Sequence, residues 1–353
     1  MSPKLLNFIR SYIINSHIII ILEVLALPAT FFIGIYMKFF IQVPAIYLIR
    51  SYKWFTKCNW LPVMFHYYQP IIKLDMLPPN YNHNENPLIG INLNIGNQLD
   101  LLNKFHYNEE LERIPYDKTN ESEPYYNSLN FPSYSDAEIL YNMIRYFKPT
   151  KIVEIGYGQS TKFIQLAIEE NRQETGNKTE HICIEAFEQQ LPLEKSSLTI
   201  IRERVEHLDL SIFSRLSEND ILFIDSSHVI RTGGDVVFEY LNIIPSLKKG
   251  VIVHSHDIFL PYEYPLKWID ERKFFWNEQY ILQALLSHSS RYKILLSLNF
   301  LTRHYKLNVE KCCPMTKRKG RVKEPDTGSK FLDKFIREAR QADASSFWFQ
   351  VVE

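Results

Sequence analysis

Glycine, cysteine pairs and net charge are scarce or absent in this sequence, and each absence argues against a class of protein. Glycine accounts for 11 of 353 residues, about 3% where roughly 7% is usual, so a cluster of glycines is informative. The four cysteines form no C-x-x-C pair and no regular spacing, which argues against a disulfide scaffold and favours a reducing compartment. The 40 basic residues balance 40 acidic ones, which argues against nucleic-acid binding through bulk positive charge.

The composition is nevertheless that of a folded protein. Hydrophobic residues make up 46% and charged residues 23% of the chain, so disorder as the main state is excluded. At roughly 150 residues per domain, a length of 353 residues predicts two or three units.

The first fifty residues are strongly apolar. Within residues 11–49 only Glu23 and Lys38 are charged. Residues 18–37, as a helix of 20 residues, are long enough to cross a hydrocarbon layer of about 30 Å. Their twelve Ile, Leu, Val and Phe side chains favour membrane insertion by roughly 0.3 to 0.6 kcal/mol each. Together they outweigh the cost of inserting Glu23, which is about 3 kcal/mol. We therefore predict a membrane-associated segment at residues 1–57.

The basic residues around this span predict its orientation. Two lysines or arginines precede it, and four follow its apolar centre, namely Lys38, Arg50, Lys53 and Lys57. By the positive-inside rule, the long C-terminal part then faces the cytoplasm. Two other interpretations stay open. One is a cleaved signal peptide; the other is a helical hairpin buried in a soluble homo-oligomer, which would make the protein cytoplasmic.

From residue 135 onward, apolar runs of strand length alternate with helical ones. The strands are predicted at 151–155, 181–185, 198–202, 221–224, 251–254, 292–298 and 347–352. The helices are predicted at 136–147, 160–170, 234–247 and 278–287. Uninterrupted apolar strands separated by helices are typical of a parallel sheet covered on both faces. Residues 135–353 are therefore predicted to form a doubly wound α/β domain.

Three local features complete this outline. Residues 58–134, rich in Asn, Tyr and Pro, are interpreted as a connecting region with short elements such as a strand at 87–93. Ser135 is predicted to cap the first helix of the domain, with Glu138 completing a capping box. The polar and basic stretch 312–330 is predicted to be a mobile loop between the last two strands.

Polar residues or glycines follow each strand that is expected near the centre of the sheet. They lie at residues 154–160, 185, 225–228 and 254–257. In such sheets, ligands bind at the carboxyl ends of the strands. Gly156 and Gly158 allow a tight turn and a close approach of backbone donors, and Glu185 is suited to both hydroxyls of a ribose. A plain turn and a solvated acid are the alternatives for these residues.

These strand ends contain the segments VEIGYGQST and CIEAFE, which resemble the motifs of class I S-adenosylmethionine-dependent methyltransferases. Three further segments, NDILFIDSSHV, LKKGVIVHSHDIFLPYEYP and WNEQYILQALL, resemble bacterial small-molecule O-methyltransferases within that superfamily. The resemblance covers about residues 135–353. It implies a Rossmann-like sheet of seven strands with an antiparallel last strand, preceded here by the hydrophobic helical segment and by a lid within residues 58–134. It also implies methyl transfer to an oxygen of a small-molecule acceptor.

The resemblance implies a binding site for S-adenosylmethionine formed by Glu154, Gly156, Gly158, Ser160, Glu185 and Asp209. The first three would surround the methionine part of the cofactor. The acid at 185 would hold the ribose, and the turn that ends at Asp209 would lie near the adenine. Ser160 replaces the usual third glycine, and because serine is small we expect a shifted contact rather than a lost site.

The resemblance also implies a catalytic and metal-binding cluster. Asp225 matches the first metal ligand of the catechol-type branch, and His256 with Asp257 matches the paired ligands. Magnesium prefers oxygen ligands, so the histidine leaves manganese or another divalent cation open. His228 occupies the position of the catalytic base, and an imidazole with a near-neutral pKa is suited to accept the proton of an alcohol. The alternatives are a structural histidine and a metal-free site.

The acceptor and two other functions stay open. Aromatic residues before the first domain helix and after the fifth strand are expected to shape an acceptor pocket; they are Tyr125, Tyr126, Phe131, Tyr134, Phe259, Tyr262, Tyr264, Trp268 and Trp276. The acceptor is expected to be a small molecule or a glycoconjugate such as a sugar. A non-catalytic membrane-bound module that keeps the fold, and a nicotinamide-dependent oxidoreductase that uses the same glycines, are the alternatives.

Overall fold

The computed structural model describes residues 18–40, 42–43, 47–63, 65–79, 81, 85–120, 122–126, 133–187, 197–318 and 343–353. The chain divides into two compact units, Met1–Leu77 and Pro78–Glu353. The three-part division into residues 1–57, 58–134 and 135–353 stays a prediction.

The first unit contains two helices and a short 3-10 turn. They are α1 (Ile18–Phe40), α2 (Ile49–Lys57) and the turn at Leu74–Met76. Within α1, the segment Leu22–Phe40 has a mean hydropathy of 1.5, and no residue of its most apolar 18-residue window is buried inside the protein. By length and composition alone, this helix is sufficient to cross a membrane.

The second unit is built on a seven-stranded sheet. The strands are β1 (Lys151–Ile155), β2 (Glu180–Ile184), β3 (Leu198–Ile201), β4 (Ile221–Ile224), β5 (Ile252–Ser255), β6 (Tyr292–Ser297) and β7 (Phe347–Val351). Their order across the sheet is β3-β2-β1-β4-β5-β7-β6. β7 runs antiparallel to both β5 and β6, whereas the strands β1 to β5 pair with one another in parallel. The predicted fold class, including the antiparallel last strand, is confirmed.

The central strands are apolar on both faces because both faces are covered. In β4, Ile221 and Phe223 belong to the hydrophobic cluster on one side of the sheet. Leu222 and Ile224 belong to the cluster on the other side. All four side chains are fully buried. Alternating residues of one strand thus enter two separate cores, which is why the sequence shows no polar alternation there.

Helices cover the sheet on both sides. Those before β1 are α3 (Ile95–Leu102), α4 (Asn108–Arg113) and α5 (Tyr134–Phe147). The later ones are α6 (Gln159–Thr175), α7 (Ser211–Ser214), α8 (Asp235–Phe238), α9 (Ile244–Ser246), α10 (Leu266–Asp270), α11 (Glu278–Leu286), α12 (Leu298–His304), α13 (Lys306–Cys312) and α14 (Pro314–Arg318). The predicted helix 234–247 is interrupted by a π turn at Glu239–Ile243 between α8 and α9.

Part of the predicted connecting region belongs to the core. Leu102 and Leu111, from α3 and α4, lie in the same hydrophobic cluster as the strand residue Phe223. Sequence periodicity missed these helices because they have only 8 and 6 residues. The strand predicted at 87–93 is wrong: these residues form no strand, and the backbone of Gly90 instead accepts a hydrogen bond from His288.

Two further local predictions are corrected. The N-cap of α5 is Ser133, whose side chain accepts a bond from the backbone of Asp136, and not Ser135. Glu138 forms no capping box, because its carboxylate accepts hydrogen bonds from the backbone of Met315 and Thr316. In the predicted loop 312–330, the stretch Pro314–Arg318 is helical, and residues 319–330 lie outside the described part of the chain.

Candidate active site

A cleft of about 290 Å³ lies at the carboxyl ends of β1, β2 and β4. Gly156, Glu185 and Asp225, which follow these three strands, all contribute to its wall. β1 pairs with β2 on one side and with β4 on the other. This reversal of strand order at β1 is the point where doubly wound sheets bind their ligands. Residues predicted separately from three strand ends therefore lie around one cavity.

Gly156 allows the ends of β1 and β4 to approach each other. Its φ is +97°, and an added Cβ would lie 2.3 Å from the backbone oxygen of Asp225. The backbone of Gly156 donates to Ile184, and the backbone of Asp225 donates to Ile155. A side chain at position 156 would therefore strain the backbone and separate the two strands.

We expect Gly156→Ala to lower the free energy of unfolding by at least about 1 to 3 kcal/mol, because alanine would have to adopt a strained φ. Urea denaturation measures this loss. Gly158→Ala is the matched control. Gly158 has an extended φ of −173°, and no heavy atom lies within 4 Å of an added Cβ. The control should lose less than about 1 kcal/mol; an equal loss in both variants would contradict the argument.

Glu154 lies beneath the glycine turn and not in the wall of the cleft. Its fully buried carboxylate accepts hydrogen bonds from the hydroxyls of Ser160 at 2.8 Å and Thr161 at 3.0 Å. Gly158 caps α6, and its backbone donates to the Thr161 hydroxyl at 3.1 Å. These contacts hold the turn against the start of α6. Direct cofactor contacts of Glu154, Gly158 and Ser160 stay predictions.

His181 is a residue of this turn region that the sequence analysis missed. It is buried in β2, with Nε2 3.0 Å from Glu154 Oε2 and Nδ1 2.7 Å from the Gln165 side chain. The only signal in the sequence was a polar side chain inside an otherwise apolar strand.

Three acidic residues line the side of the cleft formed by β2 and by the turn after β3, namely Glu185, Glu203 and Glu206. Glu185 is 7% exposed and accepts a bond from the backbone of Phe187 at 2.8 Å. Glu206, in the turn predicted near the adenine, also lines the cleft. Asp209 is not among the lining residues, and its carboxylate accepts a bond from the backbone of Ser211 at 2.8 Å. The role of Asp209 stays a prediction.

Asp225, His228 and Asp257 form an acid–imidazole cluster beside the cleft. His228 Nε2 lies 3.3 Å from Asp225 Oδ1 and 3.6 Å from Asp257 Oδ2. One donor atom from each residue lies within 4.8 Å of the others, which is compatible with a single metal ion. His256 borders this cluster, with Nδ1 3.3 Å from Asp257 Oδ1 and 4.0 Å from Asp225 Oδ1. Either imidazole is thus near both carboxylates.

The orientation of His228 depends on α11. His228 Nδ1 lies 2.8 Å from Glu278 Oε2, to which it donates, and Glu278 Oε1 accepts from the Tyr240 hydroxyl at 2.7 Å. This contact leaves Nε2 of His228 turned toward Asp225 and Asp257. A carboxylate that fixes the far nitrogen of a histidine also fixes its tautomer. Sequence reasoning missed Glu278 and Tyr240.

The charges around the cluster shift its pKa values. Burial lowers the pKa of His228, but hydrogen bonds to Asp225 and Glu278 outweigh it and raise that pKa well above the usual value. Burial also opposes the charge on His256, yet Asp257 and Asp225 raise its pKa to about 10. The near-neutral pKa predicted for His228 is therefore not what its neighbours favour, because the carboxylates beside it stabilise the protonated imidazole.

Residues just before β7, near the C-terminus of the chain, also hold the acid–imidazole cluster. The Ser345 hydroxyl donates to Asp257 Oδ1 at 2.9 Å. The backbone of Ser345 in turn donates to the fully buried Asp136 at 3.0 Å. Burial raises the pKa of Asp136. The residues just before β7 therefore position a carboxylate of the cluster.

Several of the predicted pocket aromatics lie next to the cluster. The Trp276 ring centre is 4.3 Å from that of His228 and 4.9 Å from that of Trp268. Tyr126 and Tyr134 are instead buried in the core, 1% and 3% exposed. Phe131 lies outside the described residues.

The comparison with protein families finds a methyltransferase domain. Residues 153–258, from β1 to just beyond β5, match the family model described as a methyltransferase domain. No curated protein matches the chain.

Several solved structures are similar to this chain. An apo structure of CmcI is 14% identical, with 46% of this chain and 64% of that chain covered and a TM-score of 0.32. CmcI with Mg and SAM is 17% identical, with 46% and 65% covered and a TM-score of 0.29. A SAM-dependent methyltransferase from Archaeoglobus fulgidus is 13% identical, with 62% and 94% covered and a TM-score of 0.28. The chain spans slightly less than two thirds of the two CmcI structures.

The family match falls on the strands whose ends build the cleft and the acid–imidazole cluster. The sheet around it has seven strands, with the last one antiparallel. Residues 153–258 therefore match the methyltransferase domain family, and the sheet around them has the seven strands and the antiparallel last strand that the resemblance to class I S-adenosylmethionine-dependent methyltransferases implied.

Proposed function

We propose that this protein transfers a methyl group from S-adenosylmethionine to an oxygen of a small-molecule or glycoconjugate acceptor, assisted by a divalent cation. The observation that carries the proposal is the position of Asp225. Asp225 lines the cleft, and its carboxylate belongs to the acid–imidazole cluster. A methyl donor in the cleft and an acceptor oxygen at the cluster would therefore meet at this side chain.

The cleft has suitable groups for the donor. Glu185 would accept the ribose hydroxyls, as a carboxylate at the end of the second strand does in nucleotide-binding sheets. The turn at Gly156 brings backbone close to the ligand without a side chain in the way. Bound there, S-adenosylmethionine would supply an electrophilic methyl group on its sulfonium. Most of the rate would come from holding the acceptor oxygen in line with it, which is worth up to about 7 to 11 kcal/mol.

Asp225 and Asp257 of the cluster, together with the bordering His256, form a donor set that fits a divalent cation. Asp225, His256 and Asp257 would hold it, since two carboxylates with an imidazole suit manganese or a similar ion better than magnesium. When bound, the cation would lower the pKa of the acceptor hydroxyl and orient its oxygen.

His228 would take the proton of the acceptor. Its raised pKa arises from neighbouring carboxylates, so a cation that neutralises them would lower it toward a value suited to a base. Glu278 keeps Nε2 as the atom that receives the proton. A second arrangement exchanges the two imidazoles and makes His228 the ligand; the grouping of its donor atom with those of Asp225 and Asp257 favours it.

Binding of S-adenosylhomocysteine, followed by calorimetry on the purified chain, tests the donor site. We expect binding, and we expect Glu185→Ala to weaken it by about 10- to 100-fold, the value of hydrogen bonds to a charged group. Asp209→Ala is the comparison. Its affinity for S-adenosylhomocysteine should be unchanged if Glu185 binds the ligand and Asp209 does not. The affinity should fall if the turn that ends at Asp209 contacts the adenine.

The same titration separates the alternatives. A nicotinamide-dependent oxidoreductase would bind NADH or NADPH instead of S-adenosylhomocysteine. A non-catalytic module would bind neither. Either result would contradict the proposed function.

We further propose that α1 attaches the protein to a membrane, with the second unit facing the cytoplasm. The length and apolar surface of α1 support attachment, and the excess of basic residues after it supports the orientation.

A further inference from the structure

The segment after α1 combines a basic helix face with exposed aromatic rings. We refer to residues 47–63 and 65–68 as the basic–aromatic segment. It is independent of the methyltransferase site, because it lies entirely in the first unit.

One face of α2 is basic. Arg50, Lys53 and Lys57 are spaced by three and four residues, which places them on one side of the helix. All three are exposed. Tyr52 and Phe55 lie on the other side, where the Phe55 ring centre is 5.4 Å from that of Phe40 at the end of α1. The aromatic face thus packs on α1, and the basic face is left for a partner.

Exposed aromatic residues flank this basic face. Trp54 is 60% and Trp60 is 45% exposed. Other exposed aromatics of the segment are Tyr47, Phe65, Tyr67 and Tyr68. Tryptophan and tyrosine are favoured where a membrane meets water, because one part of the ring is apolar and another forms hydrogen bonds.

The charge of the surrounding sequence has one sign. Between Glu23 and Asp75 the sequence contains no acidic residue, whereas Lys38, Lys73 and the three basic residues of α2 lie in that interval. A neutral membrane surface would offer no negative charge to pair with these basic residues. An acidic protein would complement the charge, but it would not account for aromatics placed directly after a helix long enough to cross a bilayer.

We propose that the basic–aromatic segment binds the surface of an anionic phospholipid bilayer, with the basic face of α2 among the headgroups. A basic amphipathic helix with aromatic neighbours is the usual form of such a contact. Each basic residue near an anionic surface strengthens binding by roughly fivefold, so the three of α2 together contribute on the order of a hundredfold.

Quenching of tryptophan fluorescence by lipids tests this proposal in the full chain. The protein is reconstituted into vesicles of phosphatidylcholine with brominated acyl chains, with or without phosphatidylglycerol. We expect stronger quenching with phosphatidylglycerol present. The extra quenching should disappear in the double variant Trp54→Phe and Trp60→Phe, which leaves only Trp268, Trp276 and Trp348.

A charge-reversal pair tests the headgroup contact. Lys53→Glu with Lys57→Glu should reduce quenching in the anionic vesicles to the level seen with phosphatidylcholine alone. Lys248→Glu with Lys249→Glu, two exposed residues of the second unit, should change nothing. Equal quenching in both vesicle types would overturn the proposal. So would quenching that persists without Trp54 and Trp60, or an unchanged signal after charge reversal.

Discussion

Replacing Asp225 by asparagine is expected to reduce methyl transfer by about 1,000-fold or more. The substitution keeps the shape of the side chain and removes its charge from the place where the cleft meets the acid–imidazole cluster. A cation that stabilises charge in the transition state contributes several kcal/mol, and each 1.36 kcal/mol corresponds to a tenfold change in rate. Transfer from methyl-labelled S-adenosylmethionine into a metabolite extract measures the rate.

The asparagine variant should also bind manganese at least about 100-fold more weakly in calorimetry, because it loses a charged ligand. Asp235→Asn is the control. Asp235 lines the same cleft, and its carboxylate accepts bonds from Ser227, but it is outside the cluster. We expect its transfer rate to stay within a few-fold of the original. A variant of Asp225 with normal transfer would remove the cluster from the mechanism.

Replacing His228 by asparagine is expected to reduce methyl transfer by roughly 10²- to 10⁴-fold, the usual contribution of a general base. Asparagine is preferred to alanine because the φ of His228 is +60°, and asparagine tolerates the left-handed region. Binding of S-adenosylhomocysteine should be unchanged, since His228 is not among the residues that line the cleft. The label-transfer assay and calorimetry measure the two quantities.

Manganese binding by this variant decides between the two imidazole arrangements. If His228 is the base, its substitution leaves the cation affinity nearly unchanged, whereas His256→Asn weakens it. The reverse pattern would make His228 the ligand and His256 the neighbouring imidazole. Unchanged transfer in the His228 variant would remove this histidine from the reaction.

Most of the fold was predictable from local patterns. Residues 221–224 were predicted as a strand, and β4 has those bounds, because four consecutive apolar residues can be buried in this way only in a sheet covered on both sides. α3 and α4 were not predicted. They are too short for helical periodicity to be visible, and only their packing against the core stabilises them.

The candidate site was predictable in part. Glycine and acidic residues at strand ends indicated the cleft, because parallel strands bring their carboxyl ends to one edge. The grouping of the His228 donor atom with those of Asp225 and Asp257 was not visible. Neither was the position of Glu206 in place of Asp209 along the cleft wall.

The sequence by itself determined which segments form strands and which residue types follow each strand. It could do so because the burial of a strand leaves an apolar run in consecutive residues of the chain. Only the tertiary structure decided how the reactive groups are held. Glu278 is 50 residues from His228, and Ser345 is 88 residues from Asp257. The raised pKa of His228 follows from such distant contacts, since it depends on which carboxylates the folded chain brings beside the imidazole.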